Sequence, residues 1–259
     1  MMRGLRAAVD LLLPRVCVVC GRKLYLDEEH LCLMCWAELP LTHFWERSHN
    51  PMADKFNRLI ETSLNSRTAV PDAIEAEMGD KIEAGQERYV FAAALFFYDG
   101  AGTFRRIPHQ LKYHADLNLG RRFGSLLGQK LRLAGHLCDV DLVIPVPLHW
   151  TRHWKRGYNQ AEVIAAEVAR ELGIEMRTDI LKRSRRTRTQ TKVDPRDKSA
   201  NVHNAFTAIF NNSDMRHILL IDDVFTTGST LMACFRALRA VFPPSVRISV
   251  ATLAFVGGA

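Results

Sequence analysis

No run of eighteen or more apolar residues occurs in the 259-residue chain, so a membrane-crossing helix is excluded. Neither a GxxxxGK-(Ser/Thr) loop nor a GxGxxG fingerprint is present, which removes Walker-type nucleotide hydrolysis and dinucleotide binding of the Rossmann kind. No internal repeat is apparent, so a solenoid is excluded too. A clean leader is also missing. Arg3 and Arg6 precede apolar residues, but Asp10 interrupts that stretch, Pro14 ends it, and no small-residue cleavage site follows. A short amphipathic helix is expected there, in a protein of the cytoplasm. Nor is the chain poor enough in apolar residues to be disordered, at 47% hydrophobic and 24% charged.

Acidic residues are scarce only in one part. Residues 1–94 hold 11 Lys and Arg against 14 Asp and Glu, and the remainder holds 24 against 14, within a net charge of +7. The segment 182–198, KRSRRTRTQTKVDPRDK, carries eight basic and two acidic groups. The partner of this region should be anionic.

Six cysteines are present, and four fall in the pattern Cys17-x2-Cys20-x11-Cys32-x2-Cys35. Two close pairs, each able to pinch one ion from a tight turn, suit tetrahedral zinc held by thiolates. Gly21 supports such a turn by tolerating positive φ. A redox centre would need only one CxxC, and disulfides are disfavoured in the cytoplasm. His30 and His43 are possible substitute ligands. Cys138 and Cys234 read as core thiols.

The chain divides into an N-terminal helix and zinc module over 1–48, a polar connector over 49–88, and an α/β domain over 89–259. The connector, punctuated by Pro51, Pro71, Gly79 and Gly85, is expected to hold one or two short surface helices or to be partly mobile. Beyond it, near-continuous apolar runs at 89–98, 141–147, 217–224 and 246–255 have the character of buried strands. Between them lie helical stretches at 103–134, with Pro108 a start or kink, at 159–173, closed by Gly173, and from TTGST to about Val241. This alternation predicts a mostly parallel sheet flanked by helices.

The most informative string runs from Ile218 to Thr230, ILLIDDVFTTGST. In an open α/β sheet, ligands sit beyond the carboxyl ends of the strands. Here the strand delivers Asp222 and Asp223, and then Thr226, Thr227, Gly228, Ser229 and Thr230 open a helix. Free N–H groups and hydroxyls at that start suit a phosphate, while the carboxylates suit sugar hydroxyls, directly or through Mg²⁺ waters. Taken by itself, the string is also compatible with two strand-end acids followed by an ordinary cap. One strand earlier, Pro145, Val146, Pro147, Leu148 and His149 lead to Arg152, His153, Lys155, Arg156, Gly157, Tyr158, Asn159 and Gln160. Prolines stiffen the exit, and Arg152, Lys155 and Arg156 offer donors for a diphosphate, or simply a solvated basic loop.

The Asp222–Asp223 string closely resembles the phosphoribosyl pyrophosphate (PRPP) motif of type I phosphoribosyltransferases. Read as IPVPLH…R…KRGYNQ, the earlier stretch resembles the signature of the ComF family, phosphoribosyltransferase-like proteins associated with competence and use of imported DNA, many with an N-terminal zinc module. The four-cysteine module, Tyr98…His109-Gln110-Leu111-Lys112-Tyr113, and Thr187-x2-Gln190…Asn201…Phe206 fit the same resemblance, which covers about 15–48 and 90–255. It implies a type I phosphoribosyltransferase fold, PRPP with Mg²⁺ as ligand, residues 226–230 around the 5′-phosphate, Asp222 and Asp223 on the ribose hydroxyls, and pyrophosphate near Pro147 to Arg156. Lys198 stands where many relatives carry Arg, a point charge in place of a bidentate fork.

Such a site would transfer phosphoribosyl to a nitrogen nucleophile and release pyrophosphate. Segment 182–198 is expected as a lid, with Arg183, Arg185, Arg186, Arg188, Lys192 and Lys198 as donors. No residue announces an acceptor pocket. The competing expectation is a non-catalytic accessory protein of DNA uptake that docks machinery proteins or binds single-stranded DNA on its basic strip, with Trp154 and Tyr158 as candidate stacking residues.

Overall fold

The computed structural model describes residues 14–68, 89–98, 102–113, 116–183, 205–209 and 215–257, without the side chains of 64–68, Arg152, His153 and Lys155. The basic segment expected as a lid, Lys198 included, lies outside the described residues from 184 onward, as does the start of the chain.

The four apolar runs form strands β1 (Ala92–Phe97), β2 (Leu142–Pro145), β6 (His217–Phe225) and β7 (Arg247–Phe255). The two-residue β3 (Glu175–Met176) completes a five-stranded sheet of order β1-β7-β6-β2-β3, in which every pairing is parallel. A separate antiparallel pair is made by β4 (Leu181–Arg183) and β5 (Phe206–Ala208). Strands covered on both faces need apolar side chains all along, and β6 and β7 are buried through Ile218–Ile221 and Ile248–Phe255.

The helices lie where right-handed crossovers put them. The connection from β1 to β2 carries α3 (Arg106–Tyr113) and α4 (Leu117–Leu133), and that from β2 to β3 carries α5 (Trp150–Arg156) and α6 (Gln160–Leu172). Both run the same way across the sheet. The connection from β6 to β7 runs the other way with α7 (Ser229–Arg239), so α7 covers the opposite face. The reversal falls between β2 and β6, which makes the carboxyl ends of those two strands the crevice for a ligand.

The stretch 103–134 differs from the single helix expected. A 3-10 turn at Thr103–Arg105 leads into α3, where Pro108 sits in the first turn and costs no hydrogen bond. A new helix then starts at Asp116, whose carboxylate accepts from the Leu119 N–H. Gly124 and Gly128 on α4 let α6 approach closely: a Cβ on Gly128 would stand 2.7 Å from Cβ of Glu171. Asn159 caps α6 at its start and Gly173, at φ 71°, ends it.

Of the connector expected over 49–88, residues 69–88 lie outside the described residues, and the part before them holds one long helix rather than short surface helices. Residues Pro51–Thr68 form one 18-residue helix, α2, with Met52, Ala53 and Phe56 fully buried. Asn50 starts it by accepting from the Met52 and Ala53 N–H groups. Phe56 meets Phe225 and Phe235 edge-on, which fastens α2 beside α7. Cys234 is buried as expected, but Cys138 is exposed, because it lies in the turn after α4 whose apolar anchors are Leu137 and Val140.

Candidate phosphoribosyl site and zinc module

The zinc module is built from two turns. Gly21, at φ 76°, donates its N–H to the Cys17 carbonyl at 2.8 Å, and the Cys17 N–H reaches the Arg22 carbonyl at 2.7 Å. Short antiparallel bridges join Val16 to Lys23 and Glu29 to Leu31, so the second cysteine pair arrives at the start of α1 (Leu33–Ala37). The Sγ atoms of Cys17, Cys20, Cys32 and Cys35 all lie within 4.8 Å of one another. Tetrahedral zinc with Zn–S bonds of about 2.3 Å requires an S–S edge of about 3.8 Å; Cys20 and Cys32 stand 3.7 Å apart. The donor set therefore fits a structural zinc ion. Burial disfavours the Cys32 thiolate, yet hydrogen bonds from Cys35, Arg22 and Cys20 outweigh it and bring this thiol down to about 6. His30 and His43 are engaged elsewhere, with Asp116 at 3.2 Å and Glu46 at 2.9 Å.

The module is fastened to the α/β domain. Arg106 donates to the Val19 carbonyl at 2.9 Å, and Trp36 stacks on Phe123 with ring centres 5.2 Å apart. Residues 40–42 run antiparallel to the outer edge of β1, with the Phe97 N–H on the Pro40 carbonyl and the Thr42 N–H on the Leu95 carbonyl.

At the crevice, β6 carries Asp222 and Asp223, both half-buried, and the Asp223 N–H donates to Oδ1 of Asp222 at 2.8 Å. Burial pushes the Asp222 carboxyl up to about 8, and the negative charge of Asp223 adds to the rise. Lys112 from α3 reaches Oδ2 of Asp223 at 2.9 Å. Burial opposes its charge, but Asp223 and then Asp222 outweigh that, so the ammonium is held above its usual range. Two neighbouring carboxylates match the oxygen preference of Mg²⁺.

Beyond the carboxylates the chain leaves the sheet at Phe225. Thr226 and Thr227 are exposed, and the two hydroxyls of Thr227 and Ser229 lie 2.9 Å apart. Gly228 occupies the N-cap of α7 at φ 82° and provides no capping side chain; the Ser229 N–H donates to Oγ1 of Thr227 at 3.4 Å, so the start of this 11-residue helix is tied to the loop's own hydroxyl. Only glycine fits. A Cβ there would lie 2.7 Å from Leu59 of α2 and 2.8 Å from Phe225. Lys55 of α2 donates to the Thr226 carbonyl at 2.8 Å and lies over the Phe225 ring, 5.6 Å from its centre. The loop is thus backed by α2, and a cation stands at its edge.

Across the crevice, Pro147 follows β2 and leads into α5. Arg156 donates to Gln160 at 3.2 Å and lies over the Tyr113 ring at 5.4 Å. Arg152 and Lys155 belong to α5 by their backbone, and the structure describes no more of them. Trp150 and Trp154, one turn apart, are 69% and 86% exposed, whereas the Tyr158 hydroxyl is buried. Of the expected site residues, the fold brings Asp222, Asp223 and 226–230 to one strand end, with Pro147 and Arg156 on the neighbouring strand's exit. Sequence reasoning gave Lys112 and Lys55 no role. Lys112 lies in the segment Tyr98…Tyr113 that fits the resemblance, which assigned it no role, whereas Met52, Phe56, Ile60 and Ser63 repeat every three to four residues, a helical period that would have revealed α2 and with it Lys55.

A parallel sheet with this switch point, a strand-end carboxylate pair and a glycine-hinged loop opening a helix are the features of a phosphoribosyltransferase-type domain, here carrying a zinc ribbon at its N-terminus. Residues 159–256 match the phosphoribosyl transferase domain model, and residues 8–46 match the double zinc ribbon domain model. Competence protein F of Haemophilus influenzae is 36% identical over 144 residues, 54% of this chain and 63% of that protein. The DNA utilization protein YhgH of Escherichia coli K12 is 32% identical over 136 residues, 51% of this chain and 60% of that one. The matched region thus spans about three fifths of these relatives' own length. The chain thus carries a phosphoribosyl transferase domain behind a zinc ribbon and is similar to competence and DNA utilization proteins of the ComF type. The glutamine PRPP amidotransferase of Bacillus subtilis superposes with a TM-score of 0.34 at 18% identity, covering 51% of this chain and 25% of that one, too distant to add to the domain match. Among the described residues no helix is long and apolar enough to cross a membrane.

Proposed function

We propose that the chain binds PRPP at the carboxyl ends of β2 and β6 and transfers its phosphoribosyl group to a nitrogen nucleophile, acting in the cytoplasm in the use of imported DNA. The observation that carries this reading is the glycine-hinged start of α7, where Gly228 brings no side chain, a few residues beyond the Asp222–Asp223 pair. Residues 226–230 grip the 5′-phosphate with main-chain N–H groups and hydroxyls, and the carboxylates orient the ribose through its hydroxyls. The diphosphate extends toward Pro147 and Arg156, where a guanidinium offers paired donors to its oxygens. Mg²⁺, bound with the diphosphate, would neutralise charge on the leaving group. As the bond from the anomeric carbon to the diphosphate oxygen breaks, the nitrogen lone pair forms the new bond, and the developing positive charge on the ribose lies near the two carboxylates. Lys112 keeps the acidic pair compact until the ligand's hydroxyls take over its place on Asp223. The names of the relatives, competence protein F and DNA utilization protein, support the placement in DNA use.

Calorimetric titration with PRPP and Mg²⁺, followed by a pyrophosphate-release screen over nitrogen heterocycles, tests the reading. Binding that is lost in Asp222→Asn/Asp223→Asn is expected; unchanged affinity in that variant refutes the site, and binding without release removes the transfer step.

A second reading, single-stranded DNA on α5, is favoured by the exposure of Trp150 and Trp154, whose rings can stack on bases. Oligonucleotide affinity that falls steeply with salt and is lost in Trp150→Ala/Trp154→Ala is its signature; affinity indifferent to both removes it.

A further inference from the structure

A cleft of about 880 Å³ opens between the zinc module and α3 and reaches the phosphate loop. On one side it is lined by Val16, Cys17, Val18 and Gly21, the turn that holds the first cysteine pair. On the other stand Arg105, Arg106 and Lys112, and at its inner end Val224 and Thr226. We propose that this cleft is the acceptor subsite, and that it takes a planar nitrogen heterocycle bearing a carboxylate or phosphate. The proposal rests on the phosphoribosyl reading above and adds to it where the nucleophile sits and what it carries.

Three observations lead there. Position comes first. The cleft shares Thr226 with the phosphate loop and Lys112 with the ion pair on Asp223, so its occupant lies beside the ribose rather than on a remote surface. Size comes second: the volume falls within the ~300–1,000 Å³ usual for small-molecule sites. Chemistry comes third. Among the described lining residues Arg105, Arg106 and Lys112 are cationic and none is a carboxylate; Lys112 is paired with Asp223, so the two arginines carry the preference for an anionic occupant. Tyr98 and Tyr113 add aromatic surface, and Val16, Val18 and Val224 add apolar surface, against which a flat ring can lie.

The zinc module therefore forms a wall of the site. Cys17 is both a member of the metal cluster and part of the lining, and Arg106, which also lines the cleft, ties Val19 to α3. A module of this size holds its shape through its metal. Zinc removal should then abolish acceptor binding and leave the phosphate loop, whose support comes from α2 and α7, largely intact.

Ligand-observed NMR on the full zinc-loaded chain tests this, with orotate, quinolinate and nicotinate as anionic ring probes and uracil and pyridine as their neutral counterparts. At least one anionic probe is expected to bind about 10-fold or more tightly than its neutral counterpart. Arg105→Gln, an exposed change, should weaken that probe about 5-fold, and Val18→Trp should exclude it by filling the cleft. Zinc chelation should remove probe binding while PRPP affinity, read by calorimetry, changes less than about 2-fold. Absence of binding by all anionic probes, or binding indifferent to Arg105→Gln, Val18→Trp and chelation, overturns the subsite while PRPP binding stands. Failure of the untreated protein to bind PRPP overturns the phosphoribosyl reading instead.

Discussion

Replacing Asp222 with Asn should stabilise the protein while disabling its ligand site. The amide keeps the oxygen that accepts from the Asp223 N–H at 2.8 Å, so the local backbone is undisturbed. What changes is the cost of ionisation. Burial, with the charge of Asp223 behind it, raises this carboxyl from 3.8 to about 8. Between those values the folded chain holds a proton that the unfolded chain has released, so this group makes stability fall as pH rises from about 4 to about 8. At pH 7 this sets a ceiling on the order of 4 kcal/mol, at 1.36 kcal/mol for each pH step above the ordinary carboxyl value. Relaxation and water around a half-buried side chain reduce this to about 1–2 kcal/mol, or roughly 2–8 °C in Tm for a chain of this size. The assay is thermal unfolding of Asp222→Asn and the unaltered protein at pH 5 and pH 8, both without ligand. The variant's advantage should grow with pH. An advantage that is equal at both values, or a loss at pH 8, refutes the reasoning. The same physics predicts that PRPP with Mg²⁺ drives a proton off Asp222, visible as a binding enthalpy that depends on the ionisation heat of the buffer.

Lys55→Met removes the donor on the Thr226 carbonyl and should weaken PRPP about 5- to 10-fold with a Tm change under about 3 °C; calorimetry showing unchanged affinity would separate α2 from the phosphate loop. Cys17→Ser should leave less than one tenth of an equivalent of tightly held zinc, measured by metal analysis after dialysis, and full retention would exclude Cys17 as a ligand. His217 is buried, faces Asp139 through Nδ1 and Ser249 through Nε2, and is pushed down to about 4 chiefly by burial. The unfolded chain binds the extra proton between about 4 and 6.5, so stability is complete above that window and is lost as pH falls through it. Thermal scans from pH 4.5 to 7.5 should show that slope, and His217→Gln should flatten it; an unchanged slope would place the titration elsewhere.

Much of the sheet was legible because buried parallel strands leave an unmistakable apolar run, as in Ile218–Ile221 and Val250–Phe255, and because Asn159 and Gly173 punctuate α6. The four cysteines and the loop 226–230 were equally open, since each is a local pattern whose chemistry depends on neighbours in sequence. What stayed hidden was long-range. Lys112 meets Asp223 across 111 positions, and Lys55 meets Thr226 across 171. A polar helix gives no sign of which strand end it will reach. The connector's polar average also masked the apolar stripe of α2, and the cleft beside the zinc module exists only once two separate parts of the chain are brought together.

The pairing of residues 40–42 with β1 has a consequence for how the chain can be handled. An outermost strand of sequence AAALFF, apolar throughout, would offer its free main-chain groups to any similar strand. The end of the zinc module, residues 40–42, occupies that edge, while the other edge of the sheet, β3, is only two residues long. Cutting the chain after residue 48 to isolate the α/β domain would uncover β1 and turn a covered edge into a template for self-association. The zinc module and the sheet edge it covers are thus one unit for any truncation.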